Sequence, residues 1–305
     1  MAAVTDDARE QQLAWEARQR PRAGVAAILA GLLALAGPLW RALALRDAPP
    51  AGFLESLTEA VQGGPIGREA SVKIATYEYY QDNALALIGS GVVDALGLLA
   101  LAWLVTFLAA ATRARRPEFI RFAVYIALVG GVLFAISAVL GPVGTVLAVS
   151  DFLDGPRTVD DARDIGGSSL LITASLLRQI GPLAVVAGLF LVSLNAMRVG
   201  LLTRFLGILG VIGAVLMILP LMPLPVVLSF WSIAVGLMLL GVGTMPPAWR
   251  TGEAEPWQTA MQGAQRRRAE EDRKQGITRP EPEPQPVPAA RPHSSSKKRK
   301  RKRRG

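Results

Sequence analysis

Six long apolar stretches alternate with short polar segments between Ala23 and Met245. A helix that crosses a bilayer needs about 20 consecutive apolar residues, because it must pass through about 30 Å of hydrocarbon. The pattern therefore predicts an all-α, polytopic transmembrane bundle with about six spans. The predicted spans are Ala23 to Leu45, Ala84 to Ala111, Phe122 to Val149, Ser168 to Ala196, Phe205 to Leu221 and Val226 to Met245.

Basic residues are concentrated in alternate segments between these spans. The leader (residues 1–22) and the next two segments on its side carry ten Lys and Arg, whereas the three segments on the opposite side carry five. Lys and Arg accumulate on the cytoplasmic side of membrane proteins, so both termini are predicted to be cytoplasmic. The first span also resembles the core of a signal sequence, but its length and the five spans after it favour an uncleaved anchor.

Two connecting segments have features of their own. In the outer loop (residues 46–83), apolar positions in 53–61 predict a short surface helix, and a second helix is expected to run from about Glu69 into the second span. That helix would place Tyr77, Tyr79 and Tyr80 at the headgroup level as an interfacial belt, with a ligand lid as the alternative. Three prolines in 220–225 join the last two spans, which form either an outer hairpin or a re-entrant pair.

The net charge of +9 comes entirely from the tail (residues 246–305), which has 16 Lys and Arg against 7 Asp and Glu. Its low hydrophobicity and uniform charge predict disorder. The cluster of eight consecutive bases is expected to contact anionic lipid headgroups, and specific nucleic-acid binding is not expected. The cluster consists of Lys297, Lys298, Arg299, Lys300, Arg301, Lys302, Arg303 and Arg304.

Two ionisable side chains lie deep inside predicted spans, Asp94 in the second and Arg178 in the fourth. Such residues are costly in hydrocarbon and mark candidate functional sites. Each lies about 15 Å along its helix from the same side of the membrane, at a rise of 1.5 Å per residue. We therefore predict that they meet as a polar centre in the bundle interior. Residues expected to support the pair are Ser90, Ser175 and Gln179.

Two alternatives to a functional pair remain open. The two charges could only fix the register of their helices, since opposite charges satisfy each other without a substrate. Arg178 could instead lie on an extension of its helix and reach the interface with its long side chain. Arg41, next to Trp40 near the outer end of the first span, is interpreted as an interfacial anchor.

Small residues inside the spans predict kinks and close helix contacts. Gly-Pro pairs at 37–38, 141–142 and 181–182 are expected to kink three helices. Gly207, Gly210 and Gly213 recur every three residues, which would let a neighbouring helix approach closely.

Signatures of catalysis are missing from the chain. There is no cysteine, and the one histidine, His293, lies in the tail. No metalloprotease, phosphate-binding or nucleophile-elbow motif occurs. We therefore expect no enzyme activity, no cofactor and no metal. The sequence predicts a non-catalytic structural or interaction component of the membrane; the alternative is a small transporter or channel subunit that uses Asp94 and Arg178.

The segment AMRVGLLTRFLGILGVIG (196–213) resembles an uncharacterised group of bacterial six-span membrane proteins, whose shared domain has no known function. The segment PPAWRTGEAEPW (246–257) resembles a narrower group. The resemblance implies six helices and residence in a bacterial plasma membrane, and it implies no activity. The expected organisation is a leader (1–22), a membrane domain (23–245) and a cytoplasmic tail (246–305).

Overall fold

The computed structural model describes residues 6–49, 70–119, 121–218 and 224–256, and helices are the only regular elements within these ranges. A 3-10 turn (Ile165–Gly167) precedes α6, and a single isolated β-bridge joins Ala70 and Thr158. The helices are α1 (Asp6–Ala44), α2 (Ile74–Asp82), α3 (Ala84–Arg115), α4 (Arg121–Asp154), α5 (Val159–Asp164), α6 (Ser169–Arg198), α7 (Arg204–Ile218), α8 (Val226–Leu239) and α9 (Ala248–Thr251).

Four helices are long and apolar enough to cross a membrane: α1, α3, α4 and α6. The shortest of them has 30 residues and is therefore about 45 Å long, which exceeds the hydrocarbon thickness of about 30 Å. Large apolar side chains, Trp103 and Ile136 among them, are exposed on these helices. An exposed apolar surface of this kind matches lipid rather than water. The predicted all-helical, membrane-embedded protein is confirmed to this extent.

In the last two predicted spans, the helices are shorter than the apolar runs in the sequence. α7 has 15 residues and α8 has 14, so each is only about 21–22 Å long. We expected the last run to continue to Met245, but α8 ends at Leu239. Gly241 and Gly243 have φ of 86° and 92°, a left-handed backbone that ends the helix. Residues 219–223, which separate α7 from α8 in the sequence, lie outside the described ranges.

The leader is not a separate element in the structure. α1 begins at Asp6 and continues through Pro21 and Pro38 to Ala44, so the leader and the first apolar run form one helix. The helix expected from Glu69 into the second span is divided: α2 ends at Asp82, and α3 begins after Asn83. The predicted surface helix in 53–61 and the basic cluster 297–304 lie outside the described residues.

Small residues hold the helices close together. A Cβ atom on Gly188 would overlap Ala127, and one on Gly130 would overlap Ala184, so α4 and α6 are in backbone-level contact. The predicted close approach along α7 is confirmed at Gly207, which faces Met197, and at Gly210, which faces Ser193. This packing brings all six apolar helices around one interior. We call its two ends the α2 end and the α9 end, after the short helix found at each.

Candidate functional site

A cavity of about 310 Å³ lies between the six apolar helices. Its lining is mostly apolar and contains two charged side chains, Asp94 of α3 and Arg178 of α6. Small-molecule sites combine an apolar lining with a few polar groups in this way. The two residues that the sequence marked as a polar centre therefore face the same space.

The ion-pair partner of Asp94 is Arg41. Arg41 Nη2 lies 3.3 Å from Asp94 Oδ2, and Arg41 Nε donates a hydrogen bond of 3.2 Å to Ser90 Oγ. Helical side chains lean toward the N-terminus of their helix, so Arg41 reaches from near the end of α1 to the level of Asp94. The interpretation of Arg41 as an interfacial anchor is corrected: its guanidinium bonds to α3.

Gly37 makes room for this carboxylate. A Cβ atom at position 37 would overlap Asp94 Oδ1 and would lie 3.2 Å from the Ser90 carbonyl oxygen. Three residues further along α3, Gly97 packs against Leu33 in the same way. The Gly-Pro pair at 37–38 therefore does more than interrupt α1, because its glycine allows Asp94 to lie against the α1 backbone.

The Asp94 centre has unused hydrogen-bonding capacity. Two N–H donors of Arg41 form hydrogen bonds with described residues, whereas a guanidinium has five donors. Asp94 accepts one hydrogen bond, at Oδ2, from the residues that the structure describes. Both side chains are partly exposed, Arg41 at 30% and Asp94 at 20%. Asp94 also lines the cavity, so its carboxylate is open to a further polar partner there.

Arg178 is exposed and lines the cavity without a hydrogen bond or ion pair to any described residue. The direct contact predicted between Arg178 and Asp94 is not formed, since Asp94 pairs with Arg41. Arg178 nevertheless lies near enough to attract the Asp94 carboxylate. Of the predicted supporting residues, Ser90 contacts Arg41, whereas Ser175 is exposed and donates to the carbonyl of Ile172 in its own helix. Gln179 is also exposed.

A second charge centre, at the α9 end, was not predicted from the sequence. Arg115 Nη1 and Nη2 lie 2.6 and 2.9 Å from the two carboxylate oxygens of Glu16. Nε and Nη2 also donate to the Ala248 carbonyl, and Nη1 donates to the Ala111 carbonyl. All five donors are therefore used. The side chains of Arg115 and Glu16 are 0% and 3% exposed.

Aromatic rings close this centre. Trp249 stacks on Phe107 with ring centroids 5.7 Å apart, Phe107 packs against Trp15, and the Arg115 guanidinium lies 5.5 Å from the Trp249 ring centroid. Trp249 Nε1 donates to the Leu201 carbonyl. The only sequence signal was the PPAW motif, which we used for resemblance alone. Opposite charges 99 positions apart gave no indication that they would meet.

At the α2 end, tyrosines of α2 contact α1 and α4. Tyr77 packs edge-on against Phe152 at 5.1 Å, and Tyr79 Oη donates to the Ala44 carbonyl. Burial raises the pKa of the Tyr77 phenol, and the neighbouring Tyr80 raises it further. Two of the tyrosines predicted to form an interfacial belt therefore connect helices, Tyr77 to α4 and Tyr79 to α1.

Near the α2 end, Thr158 caps α5. Its hydroxyl and its backbone N–H both donate to the Asp161 carboxylate, and they hold the pKa of that carboxyl below its usual value. Thr158 Oγ1 in turn accepts from the Asp161 backbone N–H, which completes a capping box.

Across the described ranges, no group of three or more His, Asp or Glu side chains could hold a metal ion. No protein-family model, curated protein or solved structure matches the chain. The resemblance to the six-span bacterial group therefore stays a prediction.

Proposed function

We propose that the protein is a non-catalytic, multi-pass membrane protein that binds a small solute in the cavity between its helices, as a small transporter does. The cavity that contains Asp94 and Arg178 is the observation that supports this function. A purely structural bundle needs a filled interior, because empty space loses packing contacts. A polar-lined cavity between membrane helices has the composition of a binding site.

The energetics of the two charges support the same proposal. Placing an ionised side chain in hydrocarbon costs about 2.5–3.5 kcal/mol by insertion scales, so such residues line cavities or water paths when they occur. Asp94 and Arg178 both line the cavity. Asp94 pairs with Arg41 rather than with Arg178, so this carboxylate does not hold the Arg178 guanidinium.

The proposed topology has six spans, with the leader and tail in the cytoplasm of a bacterial cell. α7 and α8 are apolar and lie close together in the sequence, so they would form the fifth and sixth spans or a re-entrant pair. The α9 end would then face the cytoplasm. The basic cluster 297–304 would contact anionic headgroups of the plasma membrane.

A structural or interaction component is the second candidate function. The buried contact between Arg115 and the Ala248 carbonyl supports it, because this contact attaches the start of the tail segment to the membrane helices. Glu255 extends the attachment by donating its backbone N–H to the Val199 carbonyl. In this role the anchored 246–255 segment would serve as a contact point for a partner.

Thiol labelling distinguishes the two functions, and the chain offers a clean background because it contains no cysteine. Ala138→Cys places a thiol on the cavity wall, whereas Ile136→Cys places one on the exposed apolar face of the same helix, α4. Both variants are reconstituted in lipid and treated with a charged, membrane-impermeant methanethiosulfonate reagent.

The proposed function predicts labelling of Ala138→Cys and no labelling of Ile136→Cys, because only a thiol in contact with water ionises and reacts. Denaturation in detergent followed by labelling of both variants confirms that each thiol is intact. Equal protection of both cysteines in the folded protein would rule out a water-accessible cavity and leave the structural role.

A further inference from the structure

The geometry points to an amphiphilic anion as the ligand: an anionic headgroup bound by Arg178, with an apolar body in the rest of the cavity. This inference rests on the proposed function and adds the chemical class of the solute. It follows from the distribution of charge around the cavity, the bonding of each charged group and the nature of the remaining lining.

The balance of charge around the cavity is positive. Asp94 is the carboxylate of the described lining, and the Arg41 guanidinium already neutralises it at 3.3 Å. Arg178 adds a second guanidinium. Two positive groups against one negative group leave a surplus that an anion of single charge would balance.

Arg178 has the chemistry that such an anion requires. Its donors make no hydrogen bond within the described part of the chain, so they are available to a ligand. A guanidinium binds a carboxylate or phosphate through two parallel hydrogen bonds, which gives strength and orientation. Ser175 and Gln179, on the same helix, are exposed and do not fill the cavity.

A cationic ligand fits the same cavity poorly. It would have to bind Asp94, whose negative charge the Arg41 guanidinium already neutralises. It would also approach Arg178, which repels it. Both charged groups of the lining therefore disfavour a positively charged ligand.

The rest of the lining accepts an apolar body. Phe134, Leu98 and Met217 come from three different helices and face the cavity. Methionine adapts to ligands of varied shape because its side chain is unbranched and flexible. A volume of about 310 Å³ is at the low end of small-molecule sites and suits a short alkyl chain.

Three eight-carbon probes that differ only in headgroup test this assignment: octanoate, octanol and octylammonium. Binding is measured by equilibrium dialysis with the full chain in phosphatidylcholine nanodiscs. We expect octanoate to bind most tightly. Arg178→Gln should weaken octanoate by about tenfold to a hundredfold, the usual value of a charge-assisted hydrogen bond, and should leave octanol unchanged.

Two further variants keep the test independent of folding. Arg178→Lys retains the positive charge and should keep the preference for octanoate over octylammonium, whereas Arg178→Glu should reverse it. Arg163→Gln removes a positive charge from an exposed ion pair with Asp160 outside the cavity and should change nothing. Loss of octanol binding in Arg178→Gln would indicate misfolding, and the Lys and Glu variants would then decide.

The anion could be a free carboxylate or the headgroup of an anionic lipid, and repeating the measurement in phosphatidylglycerol nanodiscs separates these sources. Weaker octanoate binding there identifies a lipid ligand, and unchanged binding identifies a free one. Equal or tighter binding of octylammonium, octanoate binding unaffected by Arg178→Gln, or no probe binding would overturn the inference. Labelling of Ala138→Cys would still stand in those cases, so failure of the ligand class is distinguishable from failure of the proposed function.

Discussion

Two of the arginine–carboxylate pairs in the described residues, Glu16–Arg115 and Arg41–Asp94, differ in almost every respect. The Glu16–Arg115 pair is bidentate, at 2.6 and 2.9 Å, and is completely enclosed by protein. The Arg41–Asp94 pair has one contact of 3.3 Å, and both side chains are partly exposed. Arg115 uses all five of its donors, whereas Arg41 uses two of its five on the part of the chain that the structure describes. The first centre is closed and the second is open.

The difference separates a structural role from a binding role. Buried charges are tolerated only when their hydrogen bonds are satisfied, and removal of one partner from a satisfied pair is strongly destabilising. A pair with unused donors beside a cavity can accept another polar group at little cost. The closed centre therefore holds α1, α3 and the 246–255 segment together, and the open centre is the candidate binding site.

Arg115→Ala should have the largest effect, because it leaves Glu16 as an uncompensated buried charge. We expect a loss of about 3–5 kcal/mol in the free energy of unfolding, measured by sodium dodecyl sulfate titration in mixed micelles. The matched control is Arg163→Ala, which breaks an exposed pair and should cost less than about 1 kcal/mol. Similar losses for both variants would mean that the α9-end pair is not structural.

Trp249→Ala should be the next most destabilising change. It removes the stack on Phe107, the contact with Arg115 and the hydrogen bond to the Leu201 carbonyl, and should cost about 3 kcal/mol by the same measurement. Trp103→Ala is the control, because its ring is 51% exposed on the apolar face. If the Trp103 variant lost as much stability, the 246–255 segment would not be anchored by Trp249.

Gly37→Ala tests the geometry of the open centre. Its new methyl group would overlap Asp94 Oδ1, and the required shift should cost about 1–3 kcal/mol. Gly141 is also a mid-helix glycine, but a Cβ there meets no atom within 4 Å. Gly141→Ala should therefore change stability by less than about 1 kcal/mol. Two equal thermal shifts would refute the close approach of Asp94 to α1.

The smallest effect concerns Asp161 of α5, which belongs to neither charge centre. Thr158→Ala removes the hydroxyl that lowers the pKa of Asp161, so that pKa should rise in a carboxyl-detected NMR titration. Because the folded pKa is the lower one, the stabilisation is present above the unfolded pKa and is lost as pH falls through the folded value. Thr173→Ala, at an exposed site on α6, should leave the pKa unchanged.

Local pattern in the sequence was enough to predict the four long helices. A run of apolar residues specifies a membrane helix without any knowledge of its neighbours, and Asp94 and Arg178 stand out because charges are rare in such runs. The same pattern placed the end of the last span too late. α8 ends before Gly241, whose positive φ breaks the helix, and hydropathy does not report backbone conformation. The break at Asn83, between α2 and α3, also left no clear mark in the hydropathy pattern.

The partners of the charged residues could not be predicted, because pairing depends on which helix faces which. Equal depth along the helices suggested Arg178 as the partner of Asp94. Arg41 lies nearer the membrane surface, but its side chain leans toward the start of α1 and so reaches the level of Asp94. The Glu16–Arg115 pair required the leader to continue α1, and hydropathy divides the leader from the span. Tertiary contacts of this kind leave no periodic signal in the chain.

The most direct test of the contrast between the two centres is a pair of neutral isosteres, Glu16→Gln and Asp94→Asn, whose free energies of unfolding are measured side by side in mixed micelles. If the Glu16 centre is closed and structural, Glu16→Gln should lower the free energy of unfolding by about 3 kcal/mol. If the Asp94 centre is open, Asp94→Asn should lower it by less than about 1 kcal/mol. A loss for Asp94→Asn that equals or exceeds that of Glu16→Gln would contradict the account, because Asp94 would then be part of the framework rather than of a binding site.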